Sequence, residues 1–216
     1  MPLARSRRYF FSSSIAIRLT LTAAALAIWF WTQSLIGARE APVSSINDWA
    51  HAATASANLY LHGHPSAANA LLVVSSCIID LLGILLLSIW IFRGEPRPFV
   101  GLVIVLGLRQ IMQACVALPS PPNAIWHYPG FPSLLVTYGV ANEGHTAIAV
   151  LGAAELARAG RRWITVSAVG IVLFEAATVL VLRAHYTMDV FTGLVTGLYA
   201  PYLVERIAGF FRESES

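Results

Sequence analysis

From Ala67 to Phe92 the chain runs AANALLVVSSCIIDLLGILLLSIWIF, about 26 residues with one charged side chain, Asp80. As a helix this stretch is roughly 39 Å long, enough to cross the ~30 Å hydrocarbon core of a bilayer with some tilt. A helix of a water-soluble domain keeps a polar stripe, and this one has none. Inside a bilayer the backbone must bond within its own segment, so the stretch predicts a transmembrane helix and an all-α membrane protein.

The rest of the chain agrees. Of its 216 residues 57% are hydrophobic and 12% charged, and the mean hydropathy is +0.68, which excludes an ordinary water-soluble domain. Apolar segments at 15–36, 98–118, 162–182 and 187–209 are each long enough to span, and a shorter apolar helix is expected at 144–159. The expectation is a six-helix transmembrane bundle, one membrane domain over 15–209, between a polar segment 1–14 and a polar tail 210–216. The basic start, with Arg5, Arg7 and Arg8, also fits a signal peptide, but the apolar run is long and ends in Trp29-Phe30-Trp31, which suits an interfacial anchor.

All 14 basic residues are arginines, and the net charge is +3. They gather before residue 15, at 93–97, at 158–162 and near the carboxyl end, whereas the other loops hold only Arg39 and Arg183. This pattern argues for membrane orientation, not for nucleic acid: both termini are expected in the cytoplasm, with 38–66, 119–143 and 183–186 outside. Residues 38–66 read as an exposed loop whose middle, 45–61, suits a short helix on the membrane surface. His62-Gly63-His64 within it lacks an acidic or cysteine partner and reads as solvated loop, not metal site. Cys77 and Cys115 lie in apolar runs and read as buried structural thiols. Trp126, His127, Tyr128 and Tyr186 read as interfacial anchors.

Chemistry concentrates at Arg183-Ala184-His185-Tyr186-Thr187-Met188-Asp189. Four residues apart on a helix, His185 and Asp189 share a face, so that the carboxylate orients the imidazole of a candidate nucleophile or base. Arg183 is a planar cation suited to phosphate oxygens. The short helix begins Gly144-His145-Thr146 and is expected to start below the outer surface. That places His145 in a recess near His185, where a helix amino terminus offers N–H groups to an anion and Gly144 admits close approach. Two histidines on separate helices, one beside a carboxylate, suit phosphoryl transfer. Asp80 and Arg109 each lie about 13 Å deep by helical rise, and equal depth suggests a buried pair, with Glu175 close by or facing a polar cavity.

Gly144-His145-Thr146 and His185-Tyr186-Thr187-Met188-Asp189-Val190 resemble two signature motifs of the sphingomyelin synthase and inositolphosphorylceramide synthase branch of the type 2 phosphatidic acid phosphatase (PAP2) superfamily. Arg109-Gln110-Ile111-Met112-Gln113 with Leu118-Pro119-Ser120-Pro121 resembles another, Pro132-Ser133-Leu134-Leu135 resembles the approach to His145, and the likeness covers about 71–205. The resemblance implies a PAP2-like bundle. It also implies a phosphoesterase or phosphotransferase in which His185 attacks phosphorus, Asp189 holds its ring and His145 protonates the leaving alkoxide. Arg183, with Gly144, Thr146 and Arg109, would bind the substrate phosphate. The implied substrate is a membrane lipid, the acceptor is water or a lipid hydroxyl such as that of ceramide or diacylglycerol, and neither metal nor cofactor is called for. The site would face the outer side of the plasma membrane. Ala141-Asn142-Glu143 stands where the family carries a serine before Gly-His. That departure is the feature behind an alternative reading, a non-catalytic lipid-binding or transport protein.

Overall fold

The computed structural model describes residues 14–37, 46–116, 118–125 and 144–213. The segment 1–13, Trp126, His127, Tyr128, Pro132-Ser133-Leu134-Leu135, Ala141-Asn142-Glu143 and the end of the tail lie outside the described residues.

Every regular element described is a helix: α1 (Ile15–Gly37), α2 (Trp49–Ala53), α3 (Ala55–Gly63), α4 (Pro65–Arg93), α5 (Pro96–Cys115), α6 (Gly144–Ala157), α7 (Arg162–Val181) and α8 (Thr187–Glu213). Prolines at the first turns of α4 and α5 set φ where the N–H has no intrahelical partner. Gly94, at φ 69°, ends α4 in the left-handed conformation that lets α5 fold back at once. Four helices, α1, α4, α5 and α7, are long and apolar enough to cross a membrane, and α6 is a shorter apolar helix. At 14 residues α6 is about 21 Å long, well short of a bilayer core.

The helices are apolar outside as well as inside. Leu81, Ile84, Val166, Leu173 and Leu198 are all exposed, a surface suited to lipid contact and unlike that of a water-soluble bundle. Cys77 and Cys115 belong to this outer surface and are exposed, contrary to the expectation of buried thiols, because an apolar neighbourhood in sequence does not separate a lipid-facing position from a core one. Helix α1 sits at the edge, with Thr22 and Gln33 its buried side chains among those described.

Around α6 the bundle closes. It packs most closely on α7 and α8, and its Ala147 and Leu151 join Leu86 of α4, Leu102 and Val105 of α5 and Ala200 of α8 in one core. The close approach of α6 and α8 depends on Gly193-x-x-x-Gly197. A Cβ at Gly193 would stand 3.0 Å from Thr146 Cβ, and one at Gly197 only 2.6 Å from Val150 Cβ and 2.8 Å from the Ala147 carbonyl. Small residues four apart let two backbones touch where lipid supplies no hydrophobic drive between helices. At the arginine-rich end the same helices are tied by charge: Arg97 bridges Glu155 at 2.7 Å and Glu205 at 2.5 Å, and Arg158 stands near both carboxylates.

Residues 46–63 fold back on the bundle. Leu61 of α3 packs with Ala68 and Leu72 of α4, Ile125 and Leu182, while Ile46, Trp49, Leu59 and Tyr60 stay exposed. The segment is therefore helical with an apolar outer face, as expected, but its inner face is a structural part of the bundle and not an exposed loop.

Candidate active site

Helix α7 ends in a motif that sequence periodicity does not reveal. The Ala184 N–H donates to the Val179 carbonyl at 2.9 Å and the Arg183 N–H to the Leu180 carbonyl at 3.2 Å, the two bonds of a Schellman ending. The left-handed residue of that ending is normally glycine; here it is Arg183, at φ 57°. A side chain costs about 1 kcal/mol or more in this conformation, so the arginine is held against local preference, which is common at functional sites. Two further carbonyls at the helix end are satisfied from elsewhere: Asn58 Nδ2 of α3 donates to Val181 O at 2.8 Å, and the Ile125 N–H to Leu182 O at 2.9 Å.

The turn delivers His185 ahead of α8, which starts at Thr187. His185 and Asp189 are thus not two positions on one helix face. Asp189 occupies the third helical position and reaches back, its Oδ2 accepting the Tyr186 N–H at 2.9 Å, which is half of a capping box. The same oxygen lies 3.6 Å from His185 Nδ1. That is ion-pair range but too long for a hydrogen bond, and it leaves Nε2 as the nitrogen turned away from the carboxylate.

His145, one residue into α6, places its ring edge-on to that of His185, with centroids 6.4 Å apart at 86°. His145 Nδ1 and Arg183 Nε are buried polar atoms with no hydrogen-bond partner among the described residues. Gly144 begins α6, and Thr146, 2% exposed, stands at the crossing against Gly193.

Arg109 is buried at 2% exposure, donates from Nη1 to Gln33 Oε1 at 3.1 Å, and lies over the Trp29 ring with its guanidinium carbon 5.9 Å from the centroid. The expected pair with Asp80 is not formed, because Asp80 is exposed. Helical rise fixes depth but not azimuth: the inward positions of α4 are Ala68, Leu72, Ser75, Ile79, Leu82, Leu86 and Trp90, and Asp80 is about 100° round from Ile79. Glu175 is fully buried and accepts from Ser75 Oγ at 2.6 Å. Tyr186, expected as an interfacial anchor, is 4% exposed, with its ring 5.3 Å from that of His51.

Sequence reasoning missed the contribution of α2. Asp48 caps that helix, its Oδ1 accepting the His51 N–H at 3.1 Å, and the same carboxylate accepts the Thr187 N–H and Oγ1–H, each at 2.7 Å. It therefore caps α2 and α8 together. Partial burial raises its pKa, but the hydrogen bonds from Thr187 and His51 outweigh this and hold the carboxyl below its usual range. His51 Nε2–H donates to the His185 carbonyl at 2.7 Å, and Arg183 Nη2 donates to the His51 carbonyl at 2.6 Å. The one available signal was Asp48 three residues before His51, a helix-start spacing, in the 45–61 stretch read as a short surface helix with no link to the site.

The residues that make this site lie inside a recognised sequence family. A family model described as AtPDCT1/2 matches residues 47–209, well over half the chain. The chain belongs to the AtPDCT1/2 family. The match takes in α2 and α3 as well as both histidine motifs. It is similar to phosphatidylcholine:diacylglycerol cholinephosphotransferase 1 of Arabidopsis thaliana, 22% identical over 86% of this chain and 59% of that protein. It is also similar to phosphatidylcholine:diacylglycerol cholinephosphotransferase 2 of the same plant, 23% identical over 57% of this chain and 40% of that protein. The chain thus spans about three fifths of the length of the first of these AtPDCT1/2 relatives. No solved structure matches it.

Proposed function

We propose that this AtPDCT1/2 family member is an integral membrane lipid head-group phosphotransferase that moves phosphocholine from phosphatidylcholine to the hydroxyl of diacylglycerol through a phosphohistidine. The observation that carries the reading is the edge-on His145–His185 pair, 6.4 Å apart, beside the Asp189 carboxylate, with the cation Arg183 two residues before His185 in the chain. The acceptor and head group come from the names of the two plant relatives.

In the first half-reaction His185 Nε2 attacks phosphorus, the bond from phosphorus to the glycerol oxygen breaks, and His145 gives its proton to the departing diacylglycerol oxygen. Asp189 steadies the positive ring that results, and Arg183 balances charge on the phosphoryl oxygens. In the second, His145 takes the proton of an incoming diacylglycerol hydroxyl, that oxygen attacks phosphorus, and the phosphorus–nitrogen bond breaks. The leaving group and the acceptor are chemically the same, so one acid–base histidine serves both directions without change of machinery.

The bundle is read as six spans over 15–209, both termini cytoplasmic, with the site towards the outer side, by the arginine placement. Helices α2 and α3 then lie at the outer interface, where the exposed Trp49, Leu59 and Tyr60 suit head-group depth.

The test is transfer by purified protein in nanodiscs containing choline-labelled phosphatidylcholine and a diacylglycerol of different acyl length. Labelled phosphatidylcholine bearing the new acyl chains supports the reading. Release of phosphocholine or inorganic phosphate would make water the acceptor, and no product with any phospholipid would leave the non-catalytic alternative.

A further inference from the structure

We propose that His51 is a positioning residue for the His185–Asp189 pair, acting through the peptide group that joins His185 to Tyr186. The proposal rests on the reading of His185 as the reacting histidine, and adds a residue from outside both histidine motifs.

The peptide between residues 185 and 186 is one rigid plane with two polar ends. Its carbonyl accepts from His51 Nε2–H at 2.7 Å, and its N–H donates to Asp189 Oδ2 at 2.9 Å. The oxygen held by that N–H is the one facing His185 Nδ1. Rotating the plane therefore moves the carboxylate relative to the ring it orients. The donor at the carbonyl end, His51, is 3% exposed, so its hydrogen bond is shielded from water.

His51 is itself fixed from three sides. Its N–H is capped by Asp48, its carbonyl receives Arg183 Nη2, and its ring lies along that of Tyr186. The Arg183 contact makes the arrangement reciprocal: α2 sets the 185–186 peptide, and the guanidinium of Arg183, two residues before the reacting histidine in the chain, holds α2. The hydrogen bond also fixes the His51 tautomer, since a carbonyl can only accept and Nε2 must carry the proton.

The test compares parent, His51→Ala and His51→Gln proteins in nanodiscs, with His62→Gln as a control. The Gln side chain keeps an N–H donor of similar reach. Two quantities are read: kcat and KM for phosphocholine transfer, and the ring 15N shifts of His185, which report its tautomer. The His185 resonances are assigned by their loss in His185→Ala.

Expected is a kcat lowered roughly three- to tenfold in His51→Ala, with KM within about twofold. A mixture of His185 tautomers should appear where the parent shows mainly Nδ1–H. His51→Gln should restore both readouts, and His62→Gln should leave them unchanged. Should His51→Ala fail to fold, His51→Asn, too short to reach the carbonyl, must show the same two changes. Parent-like tautomers in His51→Ala or His51→Asn would overturn the proposal whatever the rate. If the parent transfers nothing, the functional reading fails by itself, while the tautomer comparison still decides the positioning role.

Discussion

Adding one methyl group at Gly197 should separate the proposed transfer activity from stability. The new Cβ would stand 2.6 Å from Val150 Cβ, 2.8 Å from Val150 Cγ1 and 2.8 Å from the Ala147 carbonyl. Carbon contacts relax near 3.5–4.0 Å, so α6 and α8 must part by about 1 Å, and the backbone carbonyl cannot swing aside as a side chain would. Such overpacking costs about 1–3 kcal/mol, offset by about 1 kcal/mol from the better helix propensity of alanine, for a net loss of roughly 0–2 kcal/mol. Helix α6 carries His145 and α8 begins two residues after His185, and a misplacement of about 1 Å between reacting groups lowers rate by about 10²-fold. In nanodiscs, Gly197→Ala should therefore melt within about 8 °C of the parent yet lose most transfer activity. Gly193→Ala, with 3.0 Å to Thr146 Cβ, should show a smaller loss. Gly83→Ala and Gly170→Ala meet nothing within 4 Å and should keep parent activity with equal or higher stability. Parent-like turnover in Gly197→Ala would refute the view that close α6–α8 contact sets the distance between the histidines.

His185→Ala should abolish transfer and any acid-labile phosphoenzyme, while His145→Ala should retain far more activity towards an aryl phosphodiester, whose leaving group needs little protonation; both are checked by single-turnover assay. Arg183→Gly should relieve the left-handed backbone strain, leaving the melting temperature close to that of the parent, and still lose most activity because the phosphate loses its cation. The Asp48 carboxyl has a folded pKa below its unfolded value, so its contribution to holding α2 is present at neutral pH and is lost as pH falls below about 4 through the depressed value; Asp48→Asn should flatten that acid limb of α2 protection in hydrogen exchange. Glu175→Gln keeps an acceptor for Ser75 and removes a buried ionisable carboxyl, so thermal melting should show parent-like stability or better. Ser75→Ala, which leaves the carboxylate without its donor, should lower the melting temperature.

Hydropathy made the apolar helices readable, because the bilayer leaves a chain few other options and their length is fixed by its thickness. The two histidine motifs were readable as short unbroken strings, and the fold brings their rings together. What escaped was azimuth and tertiary capping. Depth alone suggested an Asp80–Arg109 pair, yet α4 turns Asp80 outward and Arg109 finds Gln33 on α1, a polar residue in a span that hydropathy treats as uniform. The spacing of His185 and Asp189 suggested one helix face. The chain instead reaches the same neighbourhood by ending α7 with an arginine in a glycine's place and starting α8 two residues after the histidine. Residues 46–63 carried the weakest signal, being too short and too mixed for any periodicity, and they proved to hold the 181–187 turn. Their polar side chains, Asp48, His51 and Asn58, bond to backbone groups of the 181–187 turn. A backbone partner can be any residue, so such contacts impose no pattern on the sequence they serve, and only the folded chain reveals them.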